Sequence, residues 1–158
     1  MNSNNKHNLK CVILNDRLSS KSEYECERQW KRYNGHCYYF STYGTQWKYA
    51  KVRCEEFHAK LVKIDNKEEE RWLQNRVDNS NRIQRNKVNG FWIDMKAKIG
   101  KFYWTQDNTK PDFLSFEKGY PQSYDTDSLC VFLTQHKKWH NGVCSNSVQF
   151  ICESDLCY

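Results

Sequence analysis

The stretch that decides the fold is Gly90-Phe91-Trp92-Ile93-Asp94-Met95. It is a short apolar run with a large aromatic side chain near its centre, and a glycine opens it. A run of this length that follows a glycine is typical of a buried strand rather than of a helix. We therefore expect residues 90–95 to form the central strand of a small domain.

Eight cysteines lie on both sides of this strand, four before it and four after it. Their positions are Cys11, Cys26, Cys37, Cys54, Cys130, Cys144, Cys152 and Cys157. Because disulfides persist in oxidising compartments, this even number predicts an extracellular chain, either secreted or the ectodomain of a membrane-anchored protein. No C-x-x-C pair is present, which argues against a zinc site.

The composition indicates one small domain with an aromatic core. The 158 residues include 6 Trp, 10 Tyr and 8 Phe, side chains that bury a large area each. The formal charge of +6 is uneven, because residues 1–89 carry 18 Lys and Arg against 11 Asp and Glu. A basic face suits an acidic partner, although we favour a solvated surface. The basic residues follow no nucleic-acid-binding motif, so the sequence argues against nucleic acid as a partner.

The N-terminal segment is polar. Residues 1–10 lack the apolar segment of a signal peptide, and no run of about 18 apolar residues occurs in the chain. We expect a mature protein or ectodomain in which residues 1–25 form a leader or stalk, anchored at one point by Cys11-Val12-Ile13-Leu14.

The segment that follows predicts a hairpin and a helix. Asn34-Gly35 predicts a type I′ turn between two short strands, which a Cys26–Cys37 bond would staple. We expect a helix over residues 46–57 with Thr45 as its N-cap. The residues at helical spacing in it are Trp47, Ala50, Cys54 and Phe57.

The remaining elements follow from apolar runs and capping signals. Leu61-Val62-Lys63-Ile64 predicts a strand, and Asp65-Asn66 predicts the start of a second helix. Three acidic residues in its first turn suit the helix dipole. Further strands are expected at residues 102–104, 130–133 and 148–152, with an exposed loop at 78–89. Residues 105–129 form a long irregular loop that contains both prolines, and such a loop is usually functional or disordered.

The order of these parts resembles the C-type lectin-like domain in its long form, over residues 26–153. The matching residues are Cys26, Trp30, Gly35, Cys37-Tyr38-Tyr39-Phe40, Cys54, Leu61-Val62-Lys63-Ile64, Phe91-Trp92-Ile93, Tyr103-Trp104-Thr105, Cys130-Val131-Phe132-Leu133, Trp139, Cys144 and Phe150-Ile151-Cys152. The resemblance implies an α+β fold, with two helices flanking small antiparallel sheets, a long loop region and disulfide staples. Residues 1–25 then precede the domain, and residues 154–158 form a tail.

The resemblance also implies three disulfides, Cys26–Cys37, Cys54–Cys152 and Cys130–Cys144. Cysteine spacing alone leaves 105 connectivities open. The remaining Cys11 and Cys157 are expected to pair within the chain, and the alternative is an interchain bond that makes a covalent homodimer. The strand over residues 90–95 departs from the family's Trp-Ile-Gly-Leu, and we expect Asp94 there to disturb a local turn but not the fold.

In sugar-binding members of this family, calcium is held by oxygens around a cis proline, near the next cysteine and after a tryptophan. The matching positions here are Tyr120 and Gln122 around Pro121, Ser128 before Cys130, and His140-Asn141 after Trp139. None of them is a carboxylate, whereas a calcium cage needs hard oxygen ligands with net negative charge. We therefore predict no cofactor and no metal at this site.

The loop retains acidic residues that leave one alternative open. Asp125 and Asp127 could support a secondary or shifted calcium site, although a solvated acidic loop is the interpretation we favour. His136 and His140 are interpreted as unrelated histidines on a surface turn, and Phe113 and Phe116 as side chains that pack under the loop.

These observations predict a recognition module rather than an enzyme, because no catalytic motif is present and all cysteines are assigned to bridges. The expected partner is a cell-surface or secreted protein, bound without calcium on the long-loop face. The expected ligand-binding residues are Tyr120, Gln122, Tyr124, Asp125, Asp127, Trp139, His140 and Asn141. The alternative is a carbohydrate-binding lectin that uses a shifted calcium site or aromatic contacts.

Overall fold

A computed structural model describes residues 11–14, 23–80, 90–122, 129–134 and 138–155. Its elements are β1 (Cys11–Leu14), β2 (Glu23–Cys26), β3 (Lys31–Tyr33), β4 (His36–Phe40), α1 (Trp47–Glu56), β5 (Lys60–Leu61), α2 (Lys67–Ser80), β6 (Gly90–Lys98), β7 (Lys101–Trp104), β8 (Leu129–Thr134), β9 (Trp139–Val143) and β10 (Gln149–Asp155). The predicted α+β class is confirmed. No described helix is long and apolar enough to span a membrane.

The main sheet has the strand order β3-β4-β10-β6-β8-β9, with β5 beside β10 and β7 beside β6. The predicted antiparallel pairing holds except between β6 and β10, which run parallel where Gln149 lies opposite Phe91. The later residues of β10 pair with β4, so that Ile151 lies opposite Phe40. One strand thus belongs to two ladders, a feature that its apolar pattern alone does not reveal.

Two hairpins depend on turns with positive φ. Asn34 and Gly35 have φ of 44° and 80°, which agrees with the predicted type I′ turn between β3 and β4. Ile99 and Gly100 have φ of 51° and 71° between β6 and β7. Both turns twist in the sense that suits the flanking strands.

The predicted leader contains one strand pair. β1 runs antiparallel to β2, with Cys11 opposite Cys26 in the backbone register. Cys157 lies outside the described residues, so the Cys11–Cys157 bond remains a prediction.

The expected N-cap of α1 is wrong. The helix begins after Gln46, which makes no side-chain cap hydrogen bond. Thr45 instead forms a backbone bridge with Val148, in which each N–H donates to the other residue's carbonyl at 2.9 and 3.1 Å. A residue held in this bridge is fixed by the tertiary fold and not by the start of the helix.

The expected cap of α2 is confirmed. The Glu69 backbone N–H donates to Asn66 Oδ1 at 2.8 Å, and the Asp65 N–H donates to Glu69 Oε2 at 2.8 Å. These reciprocal bonds satisfy N–H groups that would otherwise lack partners at the helix start.

The strand expected at residues 61–64 is shorter than predicted, because β5 covers only Lys60–Leu61. The next residue still joins two strands. The Val62 N–H donates to Ile151 O at 2.9 Å, and the Asp94 N–H donates to Val62 O at 2.8 Å.

The core has two buried clusters on the two sides of the sheet. One lies under α1 and includes Trp47, Trp92 and Phe150, and the other includes Trp104 and Trp139. Both helix-side indoles are satisfied, because Trp92 Nε1 donates to Thr45 O and Trp47 Nε1 donates to Ile93 O, each at 2.9 Å. The three disulfides implied by the resemblance are Cys26–Cys37, Cys54–Cys152 and Cys130–Cys144, and all three are present.

Asp94 has a structural role that the sequence analysis missed. It is 1% exposed and lies where the register between β6 and β8 shifts, between Trp92 and Lys96. Its carboxylate accepts hydrogen bonds from Thr105 Oγ1 at 2.5 Å and from the Gln106 N–H at 2.7 Å. Burial raises the pKa of the Asp94 carboxyl, and the hydrogen bonds from Thr105 and Gln106 oppose that rise. The expected disturbance of a turn is therefore wrong, because Asp94 joins β6 to the start of the long loop.

Replacing Asp94 tests this role. We expect Asp94→Ala to lower the free energy of unfolding by about 2–4 kcal/mol, because it removes both hydrogen bonds from a buried site. Urea denaturation of the oxidised protein measures the change, with the exposed Asp112→Ala as the control. A loss below about 0.5 kcal/mol, the range of ordinary surface substitutions, contradicts the assigned role.

A partly buried carboxyl group, that of Glu153, lies where β4, β10 and the start of α2 meet. Burial and the nearby carboxylates of Glu69, Asp65 and Asp155 raise the pKa of Glu153 to about 8, although the Lys63 backbone donates a hydrogen bond to it.

The groups beside Glu153 form a connected cluster. His36 Nδ1 lies 3.2 Å from Glu153 Oε1 and 3.2 Å from Asp155 Oδ1. Tyr38 donates its hydroxyl to Glu69 Oε1 at 2.6 Å, and burial raises the pKa of both of these groups. The cluster therefore concentrates carboxyl groups that are costly to ionise.

Glu153 predicts a stability that falls as the pH rises from about 4.5 to about 8. The native state holds this proton up to about pH 8, whereas the unfolded state loses it near pH 4.5. Between these values the native state binds more protons, so the free energy of unfolding falls by up to about 1.4 kcal/mol per pH unit as the pH rises. Glu153→Gln should flatten this dependence in thermal unfolding between pH 5 and pH 8, whereas the exposed Glu55→Gln should not. An unchanged slope in Glu153→Gln contradicts the assignment.

Candidate functional site

The candidate site is the long-loop face, which we define by Tyr120, Gln122, His140 and Asn141. Two of these residues flank Pro121 in the loop, and the other two lie in β9. The predicted contact residues Tyr124, Asp125 and Asp127 lie outside the described residues, so their part in this face stays a prediction.

The face rests on a buried tryptophan. Trp139 is fully buried, its backbone N–H donates to Ser115 O at 2.8 Å, and its backbone carbonyl accepts from the Glu117 N–H at 3.2 Å. The rings of Phe113 and Phe116 pack on it at 5.6 and 5.9 Å, as predicted for side chains under the loop. Trp139 was expected among the ligand contacts, but its burial gives it the role of supporting the face from below.

Tyr120 and His140 form the surface of the face. Their rings stack with centroids 3.8 Å apart and planes 6° apart, and His140 Nε2 hydrogen-bonds to Glu117 Oε2. Glu117 is held close because the Tyr120 N–H donates to the Glu117 carbonyl at 2.9 Å. The predicted surface turn at His140 is wrong, since this residue lies in β9. His136 lies outside the described residues.

Glu117 contacts the candidate face, although the sequence analysis did not place it there. Two features of the sequence point to Glu117. It precedes Tyr120 by three residues, a spacing typical of a turn, and its side chain is charged. Nothing in the sequence indicates that the loop folds back to bring Glu117 to β9, because this approach depends on the Phe116–Trp139 bridge.

Asn141 ties the loop to β9 from the buried side. It is 4% exposed, its Oδ1 accepts from the Gln122 N–H at 2.9 Å, and its Nδ2 donates to Gln122 O at 2.8 Å. The Tyr120–Pro121 peptide bond, one residue before Gln122, is cis. The side-chain amide of Asn141 thus acts as a backbone mimic that fixes the loop.

The described part of this site does not fit a calcium ion. Tyr120 and His140 bring aromatic rings to two of the matched positions, and both polar atoms of the Asn141 side chain are used by Gln122. Calcium takes six to eight oxygen ligands, with carboxylates prominent among them. Within residues 90–122, 129–134 and 138–155, no three His, Cys, Asp or Glu side chains are grouped as a metal site requires.

The fold is that of a disulfide-stapled domain of the lectin type. The chain matches the family model for the lectin C-type domain over residues 43–154, which is more than half of its length. The chain therefore belongs to the C-type lectin domain family.

Two relatives are informative. The hepatic lectin of Gallus gallus is 27% identical over 132 residues, which cover 82% of this chain and 59% of that protein. The perlucin-like protein of Mytilus galloprovincialis is 28% identical over 131 residues, which cover 80% of this chain and 81% of that protein. The chain thus spans less than two thirds of the hepatic lectin.

This chain is also similar to a solved structure of a C-type carbohydrate-recognition domain. The carbohydrate-recognition domain of cow CD23, crystallised in the presence of the oligosaccharide GlcNAc2Man3, superimposes with a TM-score of 0.71 at 26% identity. The match covers 85% of this chain and 98% of that domain. The likeness therefore extends over almost the whole recognition domain.

The Asn141 contacts give a prediction about the loop. Asn141→Ala should lower the free energy of unfolding by about 1–3 kcal/mol, because the Gln122 N–H and carbonyl lose their partners in a partly buried site. Thermal unfolding measures the loss, and the exposed Asn146→Ala serves as the control. Equal melting temperatures for the two variants argue against a role of Asn141 in fixing the loop.

Proposed function

We propose that this protein is an extracellular recognition module that binds a cell-surface or secreted protein on its long-loop face without calcium. The observation that carries the proposal is the Tyr120–His140 stack. It fills, with aromatic rings, two positions where the family resemblance calls for calcium ligands.

The chemistry of the face suits a protein ligand. Tyr120 and His140 offer a flat, partly exposed aromatic surface, and Glu117 adds a carboxylate beside it. Aromatic side chains next to charged groups often anchor protein interfaces, because they bury a large area with little loss of conformational entropy. The stack, the His140–Glu117 contact and the Asn141–Gln122 pair fix the face before binding, which lowers the entropic cost of association.

The second candidate is carbohydrate binding, which the named relatives favour. One relative is a hepatic lectin, and the CD23 domain was crystallised in the presence of an oligosaccharide. In this chain a glycan could pack on the Tyr120 ring directly, or a calcium ion could be held with the help of Asp125 and Asp127.

Calcium dependence separates the two candidates. We expect calorimetric titration of the chelator-treated protein with CaCl2 to give no saturable heat below about 1 mM, because the matched positions lack carboxylates. If binding is seen, the paired variant Asp125→Asn and Asp127→Asn shows whether these residues hold the ion. Binding that is lost in this variant assigns the ion to Asp125 and Asp127, and saturable binding to either protein contradicts the calcium-free proposal.

Ligand class is tested by screening the labelled protein, with and without EDTA, against arrays of extracellular proteins and of glycans. We expect EDTA-resistant binding to a protein, and we expect His140→Ala and Tyr120→Ala each to weaken it at least tenfold. The half-exposed Tyr49→Ala on α1 is the matched control and should have no effect. Glycan binding that depends on calcium would support the second candidate instead.

A further inference from the structure

A separate apolar groove lies beside β7, away from the long-loop face. Its volume is about 690 Å³, and none of Tyr120, Gln122, His140 or Asn141 lines it. The apolar part of its lining comes from Phe102 and Tyr103 on one side and from Pro111, Phe113 and Leu114 on the other.

One edge of β7 is open along this groove. β7 pairs with β6 on one side, and in the described chain its other side carries only the bridge from Trp104 to Thr109. The Trp104 N–H points outward, since it donates to Thr109 O at 2.9 Å, whereas the Thr105 N–H donates to Asp94 O at the β6 side. Backbone groups alternate along a strand, so the N–H and C=O of Phe102 also point outward.

The groove is open because the chain diverges after Thr109. Residues 110–114 form the opposite wall and lie outside the regular strands. A free strand edge next to such a wall is a template for an added strand, because a backbone that enters can satisfy the donor and acceptor of Phe102.

Two lysines and one aspartate, Asp112, line the groove, so its net charge is positive. Lys101 and Lys110 line it, and Lys98 lies directly opposite Lys101 in the β6–β7 register. No ion pair with a described carboxylate involves these three side chains, and like charges directly opposite each other destabilise a strand pair. An anionic group placed between Lys98 and Lys101 would relieve this repulsion.

Two exposed aliphatic side chains lie near the β7 groove. Leu114 is 53% exposed in the groove wall, and Ile99 is 85% exposed at the tip of the β6–β7 hairpin. Within the described residues six large apolar side chains are exposed, and Leu114 and Ile99 are two of them. Their position beside a free strand edge indicates a surface that is covered when a partner binds.

From the open edge, the apolar wall and the lysine rim, we infer that the β7 groove binds an extended peptide segment of a protein partner, in which acidic and apolar residues alternate. The alternation follows from the strand. Phe102 and Lys101 point to opposite faces of the sheet, so neighbouring residues of an added strand meet an apolar side chain and then a lysine. This inference goes beyond the proposed function, because it uses a different surface.

The test uses a seven-residue fluorescent peptide of alternating glutamate and valine, with fluorescence anisotropy as the measurement. We expect saturable binding to the full chain. A peptide in which lysine replaces glutamate, and one whose alternate backbone nitrogens are methylated, should each bind at least tenfold more weakly. The first change reverses the charge, and the second removes the donors that pair with β7.

Protein variants locate the site. Lys101→Glu combined with Lys110→Glu should weaken the peptide at least tenfold, and Leu114→Ser should weaken it several-fold. The exposed Lys48→Glu on α1 controls for net charge. Because all of these side chains are exposed, the variants should fold, and unchanged melting temperatures verify this.

Four outcomes of the binding and association experiments overturn the inference. They are the absence of saturable binding up to about 1 mM peptide, equal binding of the methylated peptide, equal weakening by Lys48→Glu, and self-association of the protein that Leu114→Ser abolishes. The last outcome would identify a second copy of this chain as the occupant. Co-sedimentation with phosphatidylserine vesicles in the absence of peptide binding would identify a membrane surface and would also overturn the inference.

Discussion

The rest of the structure depends on how β10 is held. This strand pairs with β6 through its first residues and with β4 and β5 through its later ones, and Cys152 within it is bonded to Cys54 of α1. A few consecutive residues of β10 therefore fix the positions of β4, β6 and α1 relative to one another. The Cys54–Cys152 bond joins residues 98 apart in sequence. In the chain-entropy model, such a bond lowers the conformational entropy of the unfolded state and so raises its free energy by about 4–5 kcal/mol.

The long loop depends on this frame through β9. β9 is held in the main sheet by its pairing with β8. The rings of Phe113 and Phe116 pack on Trp139 at the start of β9, and this packing holds the loop against the sheet. The surface residues His140 and Asn141 follow directly in sequence. The loop is irregular in conformation, yet its described part is anchored by the same packing that forms the core.

The sequence predicted the local features of the fold well. Asn34-Gly35, the Asn66 cap and the run at residues 90–95 all act through chemistry that is contained within a few neighbouring residues. The family resemblance supplied the disulfide pairs, which spacing alone could not distinguish.

The wrong predictions share one cause: contacts with distant parts of the chain, and not neighbouring residues, determine the positions of these side chains. Thr45 has an N-cap side chain, but its backbone is taken by Val148. Asp94 was expected to disturb a turn, but Thr105 and Gln106, which follow β7, donate hydrogen bonds to its carboxylate. Glu117 reaches His140 only because the loop folds back, so this contact could not be found from the chain order, although the four residues that define the face were all predicted.

The span of the Cys54–Cys152 bond also determines how the protein would respond to a protease. Exposed connections are the usual sites of cleavage, and any single cut between residues 54 and 152 leaves one half-cystine on each fragment. Both pieces then travel together on a non-reducing gel and separate only after the thiols are restored. The disulfide keeps the two fragments of a cleaved molecule together, so cleavage of the peptide chain need not unfold the domain.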